Sequence, residues 1–223
     1  MINTITPIFQ SLFAVYVAIS SLTGCATMGQ SNVGNRIVLV QDKGFEPQEK
    51  TVLFEEDFSS GTLDEWEYKG DWEIVDGAVH IKAKAGWPTL SRPISTPHYE
   101  LRFTFTRNTP WNENDFLTIN FRYIDQNNRV WVAFGQESMH LQEIIQGDFA
   151  SFESQAISSY REVPYQVRIV AQGSKITVFR GEVGKQELVV MNTLESSLLT
   201  TDSLQFTVRA GADFTLDDIQ ILK

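Results

Sequence analysis

Between Val52 and Leu222 the sequence alternates apolar and polar residues in short segments, and no long stretch has helical periodicity. Such alternation is typical of strands with one buried and one solvated face. Turn-forming Gly, Pro, Asn and Asp separate the segments, which read TVLFEE, WEIVDG, AVHIKAK, YELRFTFT, FLTINFRYI, RVWVAFG, HLQEII, YQVRIVAQ, KITVFRG, QELVVMN, SLQFTVRA and FTLDDIQIL. This many short strands predicts an all-β fold, a two-sheet antiparallel β-sandwich rather than a small barrel.

Two kinds of connection are expected between these strands. The turns VDGA and QGSK lie between paired segments and predict hairpins of antiparallel sheets. The segment from Gln146 to Glu162 lacks regular alternation, and we expect it to form a long loop that is functional or disordered.

The N-terminal segment has a different composition. MINTITPIFQSLFAVYVAISS contains no Asp, Glu, Lys or Arg, and its apolar centre from Leu12 to Ile19 is too short to span a bilayer as a helix. An apolar stretch of this length followed by small residues is typical of a secretory signal that is removed from the mature protein.

The residues after this stretch hold the only cysteine of the chain, Cys25, preceded by Leu22, Thr23 and Gly24. These four residues resemble the lipobox of bacterial lipoproteins, which implies cleavage before Cys25 and lipidation of its thiol. A plain secretory signal with an incidental cysteine, or an uncleaved anchor, are the alternatives. By the sorting rule of such lipoproteins, Ala26 implies a lipid anchor in the outer membrane of the cell envelope.

The sequence therefore divides into three parts. Residues 1–24 are interpreted as a lipoprotein signal peptide, 25–50 as a polar tether, and 51–223 as the β-sandwich domain. The net charge of −10 makes nucleic acid an unfavourable partner. With its only thiol lipidated, the mature chain has no disulfide and no cysteine zinc site, so an apolar core must stabilise it.

Several motifs of the predicted domain carry a family resemblance. FEEDFSSGTLDEWEYKGDWEIVDGAVHIKAK, then YELRFTFT, then YQVRIVAQGSKITVFRGE, and finally FTLDDIQIL together resemble the concanavalin A-like lectin/glucanase superfamily, close to laminin G-like and 3-keto-disaccharide hydrolase-type domains. The resemblance implies a jelly-roll sandwich. Because this fold hosts glycosidases, lyases, lectins and adhesive modules, it does not by itself define an activity.

Catalytic motifs are not evident in the sequence. Laminarinase-type members of the superfamily carry an E-x-D-x-E strand, whereas FLTINFRYI places Thr118, Asn120 and Arg122 at its polar positions. Glycoside hydrolysis normally needs a carboxylate pair, so we favour a non-catalytic carbohydrate-binding or surface-recognition module. A hydrolase or lyase of the same fold, and a structural partner protein of the envelope, remain alternatives.

The polar positions of five predicted strands suit a saccharide if the strands share one concave sheet, as the resemblance implies. They are Arg102, Asn120, Arg122, Arg129, Trp131, His140, Gln142 and Arg168. Trp can stack on a sugar ring, amides and imidazole can bond hydroxyls, and arginines can hold an acidic group. Four arginines on one face would favour an acidic polysaccharide or oligosaccharide. The alternative is an ordinary solvated sheet face.

Aromatic residues outside these strands fall into two groups. We expect Trp66 and Trp72 to pack in the core, whereas Trp87, Trp111 and Tyr160 are second candidates for ligand contact.

No cofactor is required by this interpretation, but a structural calcium is possible. In related jelly-roll modules the first and last strands lie together and share calcium. Here the matching segments carry Glu56 and Asp57, and Asp217 and Asp218. Carboxylate oxygens are ligands that calcium prefers, so Asp57 and Asp217 are the predicted ligands. The alternative is a strand with one outward-facing acid.

Overall fold

The computed structural model describes residues 50–110, 115–185, 189–209 and 211–223. These residues form fifteen strands: β1 (Val52–Glu56), β2 (Glu67–Lys69), β3 (Trp72–Val75), β4 (Ala78–Lys82), β5 (Thr89–Pro93), β6 (Tyr99–Arg107), β7 (Leu117–Asp125), β8 (Asn128–Phe134), β9 (Ser138–Ile145), β10 (Asp148–Ala156), β11 (Tyr165–Gln172), β12 (Lys175–Glu182), β13 (Val189–Glu195), β14 (Ser203–Val208) and β15 (Asp213–Leu222).

The strands form two antiparallel sheets, which confirms the all-β sandwich prediction. The eight-stranded sheet has the order β13-β12-β11-β6-β15-β4-β3, with β1 also paired to β15. The seven-stranded sheet has the order β10-β9-β8-β7-β14-β5-β2. The first and last strands are thus neighbours, and β15 is long enough to pair with β1 and with β4 along one edge.

The predicted hairpins are present. Between β3 and β4, Asp76 and Gly77 both have positive φ, at 52° and 80°. Positive φ at both central residues defines the type I′ turn, whose twist matches that of the flanking strands. Gly173 likewise has positive φ between β11 and β12, within the predicted QGSK turn.

The core lies between the two sheets and is rich in aromatic rings. On β6, Leu101, Phe103 and Phe105 are buried, while the alternate positions point outward. Phe103 meets Phe206 of the opposite sheet edge-to-face, with ring centroids 5.3 Å apart. Full burial of one such side chain contributes about 1.5–3 kcal/mol. The predictions for Trp66 and Trp72 are also confirmed, because they are 5% and 7% exposed.

One strand departs from regular alternation. Asn120 of β7 pairs with Trp131 of β8, but the next pair is Arg122 with Val130, so Phe121 is an extra residue in a β-bulge. Because directly paired residues project to the same side, Arg122 joins Val130 on the core side. The expectation that Arg122 lines an outward polar surface is therefore wrong. The side chain of Arg122 is completely buried.

The buried guanidinium of Arg122 binds three connecting segments at one end of the sandwich. Its Nη1 donates to the carbonyl of Leu198 at 2.8 Å, and its Nη2 donates to the carbonyls of Pro97 and Gly173 at 3.2 Å and 2.6 Å. Burial lowers the pKa of Arg122, an effect opposed by Tyr99 and Glu143. The three carbonyls give Arg122 a structural role.

The segment expected to be a long loop contains a strand. β10 occupies much of Gln146 to Glu162 and pairs with β9 through a turn in which Gln146 and Gly147 have positive φ. The prediction failed because β10 is an exposed edge strand. Its two phenylalanines are three residues apart, and a register shift between Phe149 and Ser151 compensates for that spacing.

The predicted signal peptide, Cys25 and the predicted tether up to residue 49 lie outside the described residues, as does Trp111. Within the described ranges, no helix has the length and apolarity needed to cross a bilayer.

We predict that Arg122→Met lowers the free energy of unfolding by about 3 kcal/mol, because it removes the hydrogen bonds that the buried guanidinium donates to three backbone carbonyls. Urea unfolding followed by tryptophan fluorescence measures the change. Arg161→Met is the matched control, because Arg161 is half-exposed in a loop and should change stability by less than about 0.5 kcal/mol. Equal unfolding midpoints for the two variants would contradict the structural role of Arg122.

Candidate functional site

The outward face of the seven-stranded sheet carries a polar row across its central strands. Asn120 of β7 pairs with Trp131 of β8, which pairs with Gln142 of β9. On the other side, Asn120 pairs with Gln205 of β14, and its Nδ2 donates to Gln205 Oε1 at 3.2 Å. Paired residues share a face, so this row lies opposite the core positions of the same strands.

The central row is recessed rather than freely exposed. Asn120 and Gln142 are only 1% and 7% exposed although they point away from the core, and Trp131 is half-buried. A recessed polar surface on a sheet differs from an ordinary solvated face, where polar side chains extend into water.

His140 lies in the adjacent row, where it pairs with Ala133 of β8. Its ring stacks on Phe152 of β10 with centroids 5.5 Å apart, and Phe116 contacts it at 5.6 Å. His140 Nε2 lies 3.2 Å from Ser138 Oγ. Burial lowers the pKa of His140, so the imidazole is neutral near pH 7 and can offer one donor and one acceptor nitrogen.

Four buried polar atoms on this face have no hydrogen-bond partner among the residues that the structure describes. They are Asn120 Oδ1, Trp131 Nε1, His140 Nδ1 and Arg129 Nε. Buried polar atoms are normally hydrogen-bonded, so each exception calls for a physical explanation. Here the four atoms come from three neighbouring strands of one face, which is the arrangement expected where water or a bound ligand supplies the missing partners.

Arg129 lies on the same outward face as Trp131, two residues before it on β8. It pairs with Tyr123 of β7 and Ile144 of β9. Burial lowers the pKa of Arg129, and Tyr123 opposes the effect. The guanidinium stays charged at neutral pH.

The sequence analysis missed two aromatic residues of this face. Phe149 and Phe152 of β10 pair with Ile144 and Gln142, and are 74% and 54% exposed. The register shift between Phe149 and Ser151 places both rings on the same side despite their odd spacing. No period-of-two signal could have revealed them, because the bulge becomes visible only when β9 is known to be the partner.

Arg102 and Arg168 do not belong to this surface. They lie on β6 and β11 of the eight-stranded sheet, in direct register with each other, and point outward on the opposite side of the sandwich. The expectation that all predicted residues share one sheet is therefore wrong. Both sheets have the same alternation, so the pattern alone could not assign strands to sheets.

Arg102 and Arg168 both lie beside the buried carboxylate of Glu100. Arg102 Nε donates to Glu100 Oε1 at 2.5 Å, Arg168 Nε lies 3.1 Å from Oε2 without pointing its N–H at it, and Lys50 forms a further ion pair. Burial alone would raise the pKa of Glu100, but these cations outweigh it and hold the pKa below its ordinary value.

The four arginines that favoured an acidic glycan are therefore not together on the seven-stranded sheet. Of the four arginines expected on one face, Arg122 is in the core and two lie on the other sheet. Arg129 alone remains beside Trp131. The recessed row is mainly uncharged and suited to hydroxyl groups.

The predicted calcium ligands, Asp57 and Asp217, lie near the paired ends of β1 and β15. Burial raises the pKa of Asp217, with further contributions from the charges of Asp218 and Asp57. Asp57 Oδ1 accepts from the Ser59 amide, and Asp217 Oδ1 accepts from the Asp218 amide.

A calcium site at these acids is not established by the described part of the chain and stays a prediction. Calcium takes about six to eight oxygen ligands. The described residues contain no group of three or more His, Cys, Asp or Glu that could hold a metal. The charges of Asp57 and Asp217 repel one another, which contributes to the raised pKa of Asp217.

Sequence comparison alone does not identify relatives of this chain. No protein-family model matches it, and no curated protein matches it significantly.

Solved structures do match. The carbohydrate-binding module CBM66 from Bacillus subtilis superposes with a TM-score of 0.54 at 10% identity, covering 70% of this chain and 93% of that one. The apo Crh5 transglycosylase gives 0.60 at 14%, covering 75% and 82%. The Ca²⁺-bound exoplasmic/lumenal domain of VIP36 gives 0.59 at 10%, covering 74% and 87%.

A fourth match, a Bacillus subtilis protein of unknown function described as galectin-like, gives 0.59 at 12% identity and covers 78% of this chain and 96% of that one. Identities this low establish the fold and nothing finer. The chain has the concanavalin A-like, galectin-like β-sandwich fold.

Proposed function

We propose that this protein is a lipid-anchored, non-catalytic carbohydrate-binding protein of the bacterial cell envelope. Its site is the recessed row of Asn120, Trp131 and Gln142, together with His140 and Arg129. The single observation that carries the proposal is the set of four buried polar atoms on this face that have no partner in the described part of the chain.

The side chains of the row match the chemistry of a sugar. The indole of Trp131 offers an apolar surface to the C–H face of a pyranose, and its Nε1–H offers a donor. Asn120 Oδ1 offers an acceptor, while His140 Nδ1 takes either role according to its tautomer. Donors and acceptors on adjacent strands around a flat ring suit the vicinal hydroxyls of a sugar.

The exposed rings of β10 extend this surface. Phe152 stacks against His140, and Phe149 follows along the same edge strand. Exposed aromatic rings beside a polar recess favour an extended ligand that lies across several strands, such as a polysaccharide or oligosaccharide, over a small isolated molecule.

The structural neighbours support the same class of ligand. They include a protein named as a carbohydrate-binding module and the Crh5 transglycosylase in complex with NAG. A non-catalytic role agrees with the composition of the row, because Asn120, Trp131 and Gln142 include no carboxylate. Glycoside hydrolysis normally uses two.

The envelope location rests on the lipobox resemblance at Cys25. Acyl chains on this residue would hold the protein at a membrane, each buried CH₂ contributing about 0.8 kcal/mol. Ala26 favours the outer membrane by the same resemblance. The β-sandwich would then present its recessed face to envelope or extracellular glycans.

Trp131→Ala should weaken saccharide binding at least about tenfold, because truncation of a central aromatic anchor typically costs 2 kcal/mol or more. Affinity gel electrophoresis with β-glucan, xyloglucan, galactomannan and chitin oligosaccharides as probes measures retention. Tyr68→Ala is the matched control, since Tyr68 is 56% exposed on β2, at the edge of the sheet far from β10, and lies outside the row. Absence of retention by every probe, or equal retention of both variants, would overturn the site.

Asn120→Leu separates ligand binding from stability. Asn120 Oδ1 is buried without a partner among the described residues, and Nδ2 makes one part-buried hydrogen bond to Gln205, so leucine should lower the free energy of unfolding by no more than about 1.5 kcal/mol. Binding to the retained probe should fall about tenfold or more. Asn192→Leu, on β13 of the other sheet, should leave binding unchanged. A large loss of stability in Asn120→Leu would indicate a structural role instead.

Cys25→Ser should abolish lipidation and processing. Expressed in a bacterial host with labelled palmitate, the original protein should carry the label and sediment with membranes. The variant should be unlabelled and should keep the mass of the uncleaved precursor. Equal masses and equal sedimentation would contradict the lipoprotein assignment and leave the saccharide site untouched.

A further inference from the structure

The outward face of the eight-stranded sheet places two arginines side by side. Arg102 of β6 and Arg168 of β11 are direct cross-strand partners. Like charges in this position destabilise a sheet, because their Cβ atoms lie only about 5 Å apart. A pair of this kind requires compensation by a negative group.

Glu100 supplies only part of that compensation. Its carboxylate is 3% exposed and is shared among Lys50, Arg102 and Arg168. One buried negative charge therefore faces both arginines. The arginines contact it through Nε, and their Nη1 and Nη2 atoms donate no hydrogen bond within the described part of the chain.

The two guanidinium groups border a shallow, half-open depression. It has a volume of ≈ 240 Å³ and is lined by Arg102, Gln166, Val167 and Arg168. Gln166 projects on the same side as Arg168 and pairs with Thr104 of β6. The depression thus combines two guanidinium forks with an amide donor and a neighbouring hydroxyl.

The guanidinium of Arg168 is held in place before any ligand binds. Its Cζ lies 4.7 Å from the ring centroid of Phe179, and its Nε contacts Glu100. Contacts on two sides restrict the rotamers of a long side chain, which lowers the entropy lost on binding.

Other acids near the depression do not neutralise it. Glu55 accepts a hydrogen bond from Gln220, and Asp217, opposite Thr104, forms no ion pair with either arginine in the described chain. The excess positive charge stays at Arg102 and Arg168, on a protein whose net charge is −10.

We propose that this depression, the paired-arginine site, binds an oxyanion: a sulfate, phosphate or carboxylate group held by Arg102 and Arg168. Arginine forks bind such groups bidentately, and the anion removes the repulsion between the two cations. The site lies on the opposite face from the recessed row and does not depend on saccharide binding there.

Titration calorimetry of the purified full chain with sodium sulfate tests the proposal, with sodium chloride keeping ionic strength constant. Arg168→Gln should weaken sulfate binding about tenfold or more, since it removes charge-assisted hydrogen bonds. Arg168→Lys, which keeps the charge and loses the fork, should also weaken it. Arg161→Gln, a charge-matched loop variant, should bind as the original does.

The variants must separate loss of a ligand site from loss of folding. Arg168→Gln removes one partner of buried Glu100, so the double variant Glu100→Gln/Arg168→Gln restores the charge balance and should fold with little sulfate affinity. Trp131→Ala should bind sulfate normally. Equal sulfate affinity in all variants, or none in the original protein, would overturn the proposal.

The source of the oxyanion is distinguished by two further probes. If the group belongs to a polysaccharide, dextran sulfate should bind more tightly than inorganic sulfate, lose affinity in Arg168→Gln, and compete with free sulfate, while neutral dextran should not compete. If the ligand is the free ion, inorganic phosphate and sulfate should bind comparably, and dextran sulfate should gain nothing per sulfate group. Dextran sulfate binding that is insensitive to Arg168→Gln would contradict the site.

Discussion

The bulge at Phe121 is the constraint on which both the core and the candidate site depend. A strand has a side-chain period of two, so one extra residue exchanges the faces of everything that follows it. Asn120, before the bulge, pairs with Trp131 on the outward face, and Arg122, after it, pairs with Val130 in the core. Without the extra residue, Arg122 would face outward. The bulge therefore places Asn120 on the outward face, in the recessed row, and places Arg122 in the core.

Two buried charged residues, Arg122 and Glu143, connect these strands to other segments of the fold. Arg122 donates to the carbonyl of Leu198, and Glu143 accepts from the amide of the same residue at 2.9 Å. Glu143 also accepts from Ser196 Oγ and the Ser197 amide. The connection between β13 and β14 crosses from one sheet to the other, so these residues fix the relative position of the two layers. Buried charges are tolerated only when such bonds surround them.

The sequence predicted the strands well because alternation is a local property. YELRFTFT and its counterparts show which side chains are buried, and the structure confirms Leu101, Phe103 and Phe105 in the core. Sheet membership is not local, because β6 and β7 have similar patterns and lie in different layers. The bulges at Phe121 and before Ser151 were also hidden, since register exists only between paired strands. The sequence therefore indicated which types of residue could form the site. It could not indicate that these residues are divided between two faces of the molecule.

This division has a physical consequence for recognition. The recessed row presents mainly neutral donors and acceptors, whereas the paired-arginine site presents charge, and a hydrophobic sandwich separates them. A saccharide lying on Trp131 cannot place an acidic substituent between Arg102 and Arg168 without passing around an edge of the molecule. Because sites with no shared side chains contribute independently to free energy, an acidic group bound at the paired-arginine site would add nothing to affinity at the recessed row. If the recessed row binds a saccharide as proposed, its selectivity comes from the arrangement of hydroxyls around Asn120, Trp131 and His140 and from the charge of Arg129.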